Sequence, residues 1–413
     1  MPPTTPVPPT PPPTPPNSPV MPGPPRSSAM SHAAPLFRDR YVRIVNTVTG
    51  KGLLAGSWGT KAGDPNVWQY PLTNTGLNSH GFEWILFPTS DGSYLIVNRV
   101  SGSALVAGNY GVGDDRHVWQ YPLNTLGSHS PDAFKWGFVK DGAAYRIINR
   151  ASGYALLCGN WGATDEDLMW QWPLSETGSN DKAFLWTLDP TDHLEVPVLR
   201  PGEDDGVQPP DIPRLTSMSD TPPTVSESWV VAEVLVPFMY VTDAAVSYQL
   251  MTTPYYILSR EQYWDRSKIA EYDGQTGNTF TQEITTGISE TSSRSLENEL
   301  KITIAADASF SYGGASVALK TELQNTLKIS ESTSQSQTHE EKKSVKITLP
   351  NVRCRVLTWQ LVESFTLLRG DRGSTVGQAS KAYLDGNVIS DIWTEKGAAP
   401  LVHSTPAETG QPV

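Results

Sequence analysis

The 413-residue sequence predicts an all-β protein in two successive parts: an N-terminal β-trefoil, then an elongated β-sheet region carrying one long amphipathic hairpin. Three observations predict this. From Phe37 to Pro190 the chain repeats itself three times, and repeats at such a period decide architecture before local propensity does. After Ser226 apolar and polar residues alternate with period two in serine- and threonine-rich runs, and helical periodicity is scarce. Between Leu296 and Ser330 the alternation runs along both arms of a single hairpin.

The elements follow in order. Residues 1–36 hold fifteen of the 35 prolines and almost no large apolar side chain, so this leader cannot bury a core and reads as disordered or polyproline-like. Within the trefoil, Tyr41-Val-Arg-Ile-Val-Asn46 returns as Tyr94-Leu-Ile-Val-Asn98 and Tyr145-Arg-Ile-Ile-Asn149. Val67-Trp-Gln-Tyr-Pro-Leu72 returns as Val118-Trp-Gln-Tyr-Pro-Leu123 and Met169-Trp-Gln-Trp-Pro-Leu174, so that Trp68, Trp119 and Trp170 recur at a constant interval. Each repeat closes on an aromatic pair, Phe82 and Trp84, Phe134 and Trp136, Phe184 and Trp186. Four short strands per repeat, taken three times, make a trefoil with the repeated aromatics and aliphatics around a pseudo-threefold axis. Residues 191–225 form a proline- and acid-rich linker, residues 226–395 the second domain, and residues 396–413 a disordered tail. In the second domain the runs Trp229 to Tyr240, Ala245 to Met251, Tyr255 to Leu258, Phe280 to Ile288, Ser344 to Leu349 and Val352 to Leu368 read as strands.

The hairpin places Leu296, Leu300, Ile302, Ile304, Ala306, Ala308 and Phe310 on one face of its first arm, with Asn298 interrupting the row. After Tyr312-Gly-Gly314, whose glycines accept the positive φ of a tight turn, the apolar row continues as Val317, Leu319, Leu323, Leu327 and Ile329. Glu297, Lys301, Thr303, Asp307, Lys320 and Glu322 lie on the other face. A membrane strand needs roughly 9–11 residues with lipid-facing and lumen-facing side chains in alternation, and each arm is that long. The same pattern also fits a half-exposed hairpin packed on a core.

Composition excludes several classes. A net charge of -12 with no polybasic run argues against nucleic-acid binding. Cys158 and Cys354 fall in different domains and read as buried residues, neither a disulfide nor a metal pair. No apolar run approaches the ~18 residues of a membrane helix, and no signal-peptide pattern opens the chain, which reads as soluble, accumulating in the cytoplasm or released to act extracellularly. The seven histidines lack metal-ligand spacing, and no nucleophile elbow, phosphate loop or paired-carboxylate motif appears; neither catalysis nor a cofactor is expected.

Spacing and terminal tryptophans make Phe37 to Pro190 resemble the ricin-type lectin trefoils. That resemblance implies sugar stacking on an aromatic of the third strand of each lobe, here Tyr70, Tyr121 and Trp172. The family's aspartate falls at Ala55, Ala107 and Cys158, and its asparagine before the closing tryptophan at Gly81, Ala133 and Ala183. Polar groups crowd the intervening loops instead, with Asp64, Asn109, Asp114, Asn160 and Asp165 as candidate sugar ligands. A trefoil retained as a scaffold or protein-docking module is the alternative.

Thr252-Thr-Pro-Tyr-Tyr-Ile-Leu258, then Gln262-Tyr-Trp264, with Trp229 and Val236-Pro237 before them, resembles the opening of the toxin domain in the binary insecticidal crystal toxin family of bacilli. Lys320 to Ser330 resembles the second arm of that family's tucked hairpin, and the order, trefoil then aerolysin-like β domain, is the same. The resemblance implies a pore-forming toxin component. Its partners would be a cell-surface glycan or glycoprotein receptor, the target-cell membrane, further copies of itself and a companion toxin protein. Leu300, Ile302, Ile304, Phe310, Val317, Leu319 and Leu323 would meet lipid. A lectin or defence protein whose β domain serves oligomerisation is the competing expectation.

Overall fold

The computed structural model describes residues 37–404 except 38, 62, 74–77, 90–91, 114, 123–129, 163–166, 177, 201–210, 275–278, 287–299, 303–340 and 379–381. The fold is all-β. Six strands close a barrel: Arg40–Asn46, Glu83–Pro88, Tyr94–Asn98, Lys135–Asp141, Ala144–Asn149 and Trp186–His193 pair in that cyclic order, and the last pairs with the first. Closure removes free edges. Three hairpins cap one end: Lys51–Ala55 with Val67–Pro71, Ser103–Ala107 with Val118–Pro122, and Ala155–Leu157 with Trp170–Trp172. This is a β-trefoil.

The repeated residues recur because each performs one bonding task three times. The indole N–H groups of Trp84, Trp136 and Trp186, all fully buried, donate to the carbonyls of Leu53, Leu105 and Leu156 at 3.0, 3.1 and 3.0 Å. The amides of Asn46, Asn98 and Asn149 each donate to the carbonyl of Ala183, Gly81 or Ala133 at 2.8–2.9 Å, while their side-chain oxygens accept backbone N–H groups two and three residues on. In the capping strands Gln69, Gln120 and Gln171 point inward, and Gln69 Nε2 and Gln120 Nε2 donate to carbonyls of other lobes, those of Gly159 and Asp64.

Beyond the trefoil, Trp229–Pro237, Tyr255–Tyr272, Cys354–Leu368 and Ala382–Thr394 form an antiparallel sheet in that order, its second strand 18 residues long. Thr279–Thr286 pairs with Glu341–Thr348 in register from Thr279↔Thr348 to Thr286↔Glu341. Alternation is strict here: Phe280, Gln282, Ile284, Val345 and Ile347 are buried, while Thr279, Thr281, Glu283, Ser344, Lys346 and Thr348 are exposed. Cys158 and Cys354 are both buried and unpaired, and burial pushes the Cys158 thiol up to about 11.

One strand expectation is corrected. Ala245 to Met251 is not extended: Val246–Thr252 is an α-helix. Seven residues cannot distinguish period two from a single helical face by sequence. Tertiary contacts decide it: Leu250 is fully buried, Gln249 Nε2 donates to the Val241 carbonyl and Tyr256 hydroxyl at 2.9 Å, and Val246 packs where Gly102 has no Cβ.

The two β regions share a core. Tyr41, Ile85, Phe87, Leu95 and Val97 from the trefoil pack with Val234, Val236, Tyr255, Tyr256 and Leu258 from the sheet and with Phe238 from the turn after its first strand. Phe87 sits 5.8 Å from Phe238 and 5.4 Å from Tyr255, and the Tyr41 hydroxyl donates to the Leu250 carbonyl at 2.6 Å. Residues 212–215 of the connecting chain are likewise packed. Ile212 and Leu215 are buried against Trp264 and Trp359, and Arg214 binds buried Asp391 at 2.9 Å.

Glu233, its side chain wholly buried, accepts from Arg200 at 2.8 Å and from Arg372 at 2.6 Å. Burial alone would raise its pKa, but the bonds from Arg372 and Arg200 outweigh that and hold it below the usual value. A depressed folded pKa contributes stability that is complete above the unfolded value, about 4.3, and disappears as pH falls through the folded one. Glu233→Gln is therefore expected to cost about 2 kcal/mol at neutral pH in chemical denaturation, since charged hydrogen bonds contribute about 1.5–3 kcal/mol. The difference from wild type should shrink below about pH 4; a difference constant with pH would contradict this account.

Candidate functional site

In the capping strands Val67, Val118 and Met169 point inward and Trp68, Trp119 and Trp170 outward; Tyr70, Tyr121 and Trp172 share that outer face, half-buried. Each of these last three meets a second aromatic. Trp58 lies edge-on to Tyr70 at 5.5 Å, Tyr110 stacks on Tyr121 at 6.1 Å, and Trp161 lies edge-on to Trp172 at 6.1 Å. Phe82, Phe134 and Phe184 back the pairs at 5.6, 6.3 and 5.9 Å.

Sequence reasoning missed these second aromatics. They sit on tight turns, Gly56-Ser-Trp-Gly59, Gly108-Asn-Tyr-Gly111 and Gly159-Asn-Trp-Gly162, with Trp58, Tyr110 and Trp161 in the left-handed region at φ of 59°, 53° and 54°. Such a conformation costs on the order of 1 kcal/mol or more outside glycine. The thrice-repeated glycine-x-aromatic-glycine pattern was the available signal.

Of the candidate polar ligands, Asp64 braces its own loop. It accepts from the Ser57 hydroxyl at 2.6 Å and from the Asn66 backbone and side-chain N–H groups at 3.1 and 2.8 Å. Burial would raise its pKa, but these bonds and nearby Lys61 bring it below the ordinary value. The residues that occupy the matching place beside Gly108 and Gly159 are Asp115 and Asp167. Asp115 accepts from His117 Nδ1 at 2.8 Å and Trp119 Nε1 at 3.2 Å, and its pKa too falls below the usual range despite burial. Asn109 caps its own turn by donating to the Val112 carbonyl at 2.5 Å. Asp114 and Asp165, and the side chain of Asn160, lie outside the described residues.

The lobes differ in what covers their aromatics. Arg116 lies 4.1 Å over the ring of Trp172, and His117 sits 5.0 Å from Trp119 and 4.4 Å from Trp170. In the first lobe a cleft of about 220 Å³ opens among Leu54, Ser57, Trp58, Trp68 and Tyr70. His80, Glu83 and Asp192 converge, but Arg99 donates to both carboxylates, so a fixed cation already occupies that charge cluster.

Of the hairpin candidates, Leu300 and Ile302 are described and fully buried in the core shared by trefoil and sheet. Ile302 bridges to Val241, and Thr242 donates its backbone N–H to the Lys301 carbonyl at 2.9 Å. Ile304, Phe310, Val317, Leu319 and Leu323 lie outside the described residues. Among the described residues no helix is long and apolar enough to cross a membrane, which leaves strands untested.

A trefoil joined through a shared core to a long-stranded sheet defines a class of two-part β proteins, and comparison identifies the class. Residues 229–381 match the family described as Insecticidal Crystal Toxin, P42. The chain is 25% identical to the binary larvicide subunit BinA of Lysinibacillus sphaericus over 238 residues, 57% of this chain and 60% of BinA. It is 25% identical to the insecticidal crystal protein Cry35Ab1 of Bacillus thuringiensis over 264 residues, 61% of this chain and 63% of that protein. It thus spans about 60% of the length of the curated relatives it matches. The solved structure of Cry35Ab1 has the same fold, with a TM-score of 0.57 at 20% identity over 86% of this chain and 90% of Cry35Ab1. Residues 229–381 thus match the insecticidal crystal toxin family, and the chain is similar to BinA and Cry35Ab1 over about 60% of its length.

Proposed function

We propose that this chain is a pore-forming toxin component. It docks on a cell-surface glycan or glycoprotein receptor through its trefoil, oligomerises, and inserts residues 296–330 as one hairpin of a closed β-barrel. No bond chemistry is involved. The observation that carries the reading is the pairing of Thr286 with Glu341, which brings both ends of the 287–340 segment to one point. That segment carries the two-faced alternation a membrane barrel requires. In lipid every backbone polar group must be bonded, so only a complete ring of such hairpins can cross. Burial of Leu300 and Ile302 supports a tucked resting state, since an uncovered apolar row would promote aggregation. BinA is by its name a subunit of a binary larvicide, and a companion protein is proposed here by that analogy.

Dye release from liposomes and from insect gut membrane vesicles, with and without prior protease and with and without a companion toxin protein, tests the reading. Release with a size cut-off, from an oligomer isolated on the membrane, is expected. Glycan binding with no release under any condition would leave a lectin whose sheet serves assembly.

A further inference from the structure

We infer that the trefoil's working sugar site is the first-lobe cleft, that it takes a single neutral hexopyranose ring, and that the third-lobe aromatic is masked by Arg116. This rests on the glycan-docking reading above and refines it. The three lobes present matched outer aromatics, yet the dipeptide entering the third strand differs in each: Pro65-Asn66, Arg116-His117 and Asp167-Leu168. Arg116 reaches out of the second lobe into the third, lying over Trp172 at 4.1 Å and Tyr154 at 5.0 Å. A guanidinium on an indole face occupies the position a sugar's C–H face needs. Its neighbour His117, held by Asp115, fills the space between Trp119 and Trp170. In the second lobe Tyr121 is stacked on Tyr110 and packs against the core shared with the sheet.

The first lobe is built otherwise. Pro65 and Asn66 carry no cation, and the Asn66 side-chain amide donates to Asp64 at 2.8 Å. The cleft of about 220 Å³ has Trp58, Trp68 and Tyr70 as aromatic walls. That volume is below the roughly 300–1,000 Å³ of drug-sized pockets and suits one ring. Its chemistry selects against an acidic sugar: among the described residues none that lines it is basic, and the Asp64 carboxylate stands 2.6 Å from lining Ser57. Lys61 acts on Asp64 but does not line the cleft. The Ser57 oxygen, donating to Asp64, retains acceptor capacity for a sugar hydroxyl.

The test uses the full chain with Tyr70→Ala, Trp58→Ala, Trp172→Ala and Arg116→Ala variants. All are checked by circular dichroism melting and then titrated on immobilised galactose-, mannose- and N-acetylglucosamine-terminated glycans and a sialylated counterpart. Loss of a stacking partner should weaken binding of a neutral glycan by about tenfold in Tyr70→Ala or Trp58→Ala. Trp172→Ala should leave it within about twofold. Arg116→Ala should add a second class of sites, which Trp172→Ala in the same chain removes. Should Tyr70→Ala fail to melt cooperatively, Trp58→Ala and the Arg116→Ala gain decide. Binding that survives both first-lobe variants and is lost in Trp172→Ala, or that prefers the sialylated glycan, would overturn the inference and leave glycan docking intact. Absence of binding by every variant would instead overturn glycan docking, and the inference with it.

Discussion

Replacing Ile304 and Leu319 with aspartate is expected to abolish membrane leakage, while polar exchanges at Thr303 and Lys320 change only conductance or ion preference. In the proposed barrel hairpin the period-two rule assigns the two sets to opposite faces of the same strands. A charge facing lipid near the bilayer midplane costs about 2–4 kcal/mol per strand, and a ring multiplies that by every protomer. Lumen-facing charges remain in water. Vesicle leakage and single-channel recording on the same variants check the contrast. Equal damage from both faces, or none from either, would remove residues 296–330 from the membrane and with them the pore-forming proposal.

Phe87→Ala is expected to lower the unfolding free energy by about 3–5 kcal/mol, the usual cost of a large aromatic removed from a packed core. Phe87 is 1% exposed and meets Phe238 and Tyr255 across the join between trefoil and sheet. The loss should therefore loosen both parts together, visible as one cooperative urea transition shifted to lower midpoint. Because Leu300 and Ile302 lie in the same cluster, the variant should also expose the hairpin's first arm to limited proteolysis sooner. A change below about 1 kcal/mol, or two separated transitions with only the first shifted, would show that the shared core does not couple the parts.

Much of the fold was legible because it is written as period and repeat. Trp84, Trp136 and Trp186 recur since each must bond one carbonyl in an equivalent lobe, and such a demand leaves the same residue in each repeat. The alternation of Phe280, Gln282 and Ile284 against Thr281 and Glu283 announced a strand with one covered face. The helix Val246–Thr252 was not legible: its seven residues satisfy a strand pattern equally well, and contacts with Gly102, Val241 and Tyr256 settle it. At the candidate sugar site Tyr70, Tyr121 and Trp172 were recognisable from their shared register, and Asp64 from its loop. The partners Trp58, Tyr110 and Trp161 were overlooked because their role depends on a left-handed turn that swings each ring onto its neighbour.

By itself, then, the sequence determined the threefold barrel with its aromatic pairs and the long-stranded sheet after it, since each is a local periodicity that backbone geometry converts directly into a face. Only the tertiary structure decided which faces are covered, and by what. Arg116 lies over Trp172 from 56 residues away in the chain, Tyr41 bonds Leu250 across 209, and Leu300 and Ile302 are buried in the core that trefoil and sheet share, Ile302 bridging to Val241. Burial of this kind is set by the sum of many contacts between distant segments, and no window along the chain contains both partners.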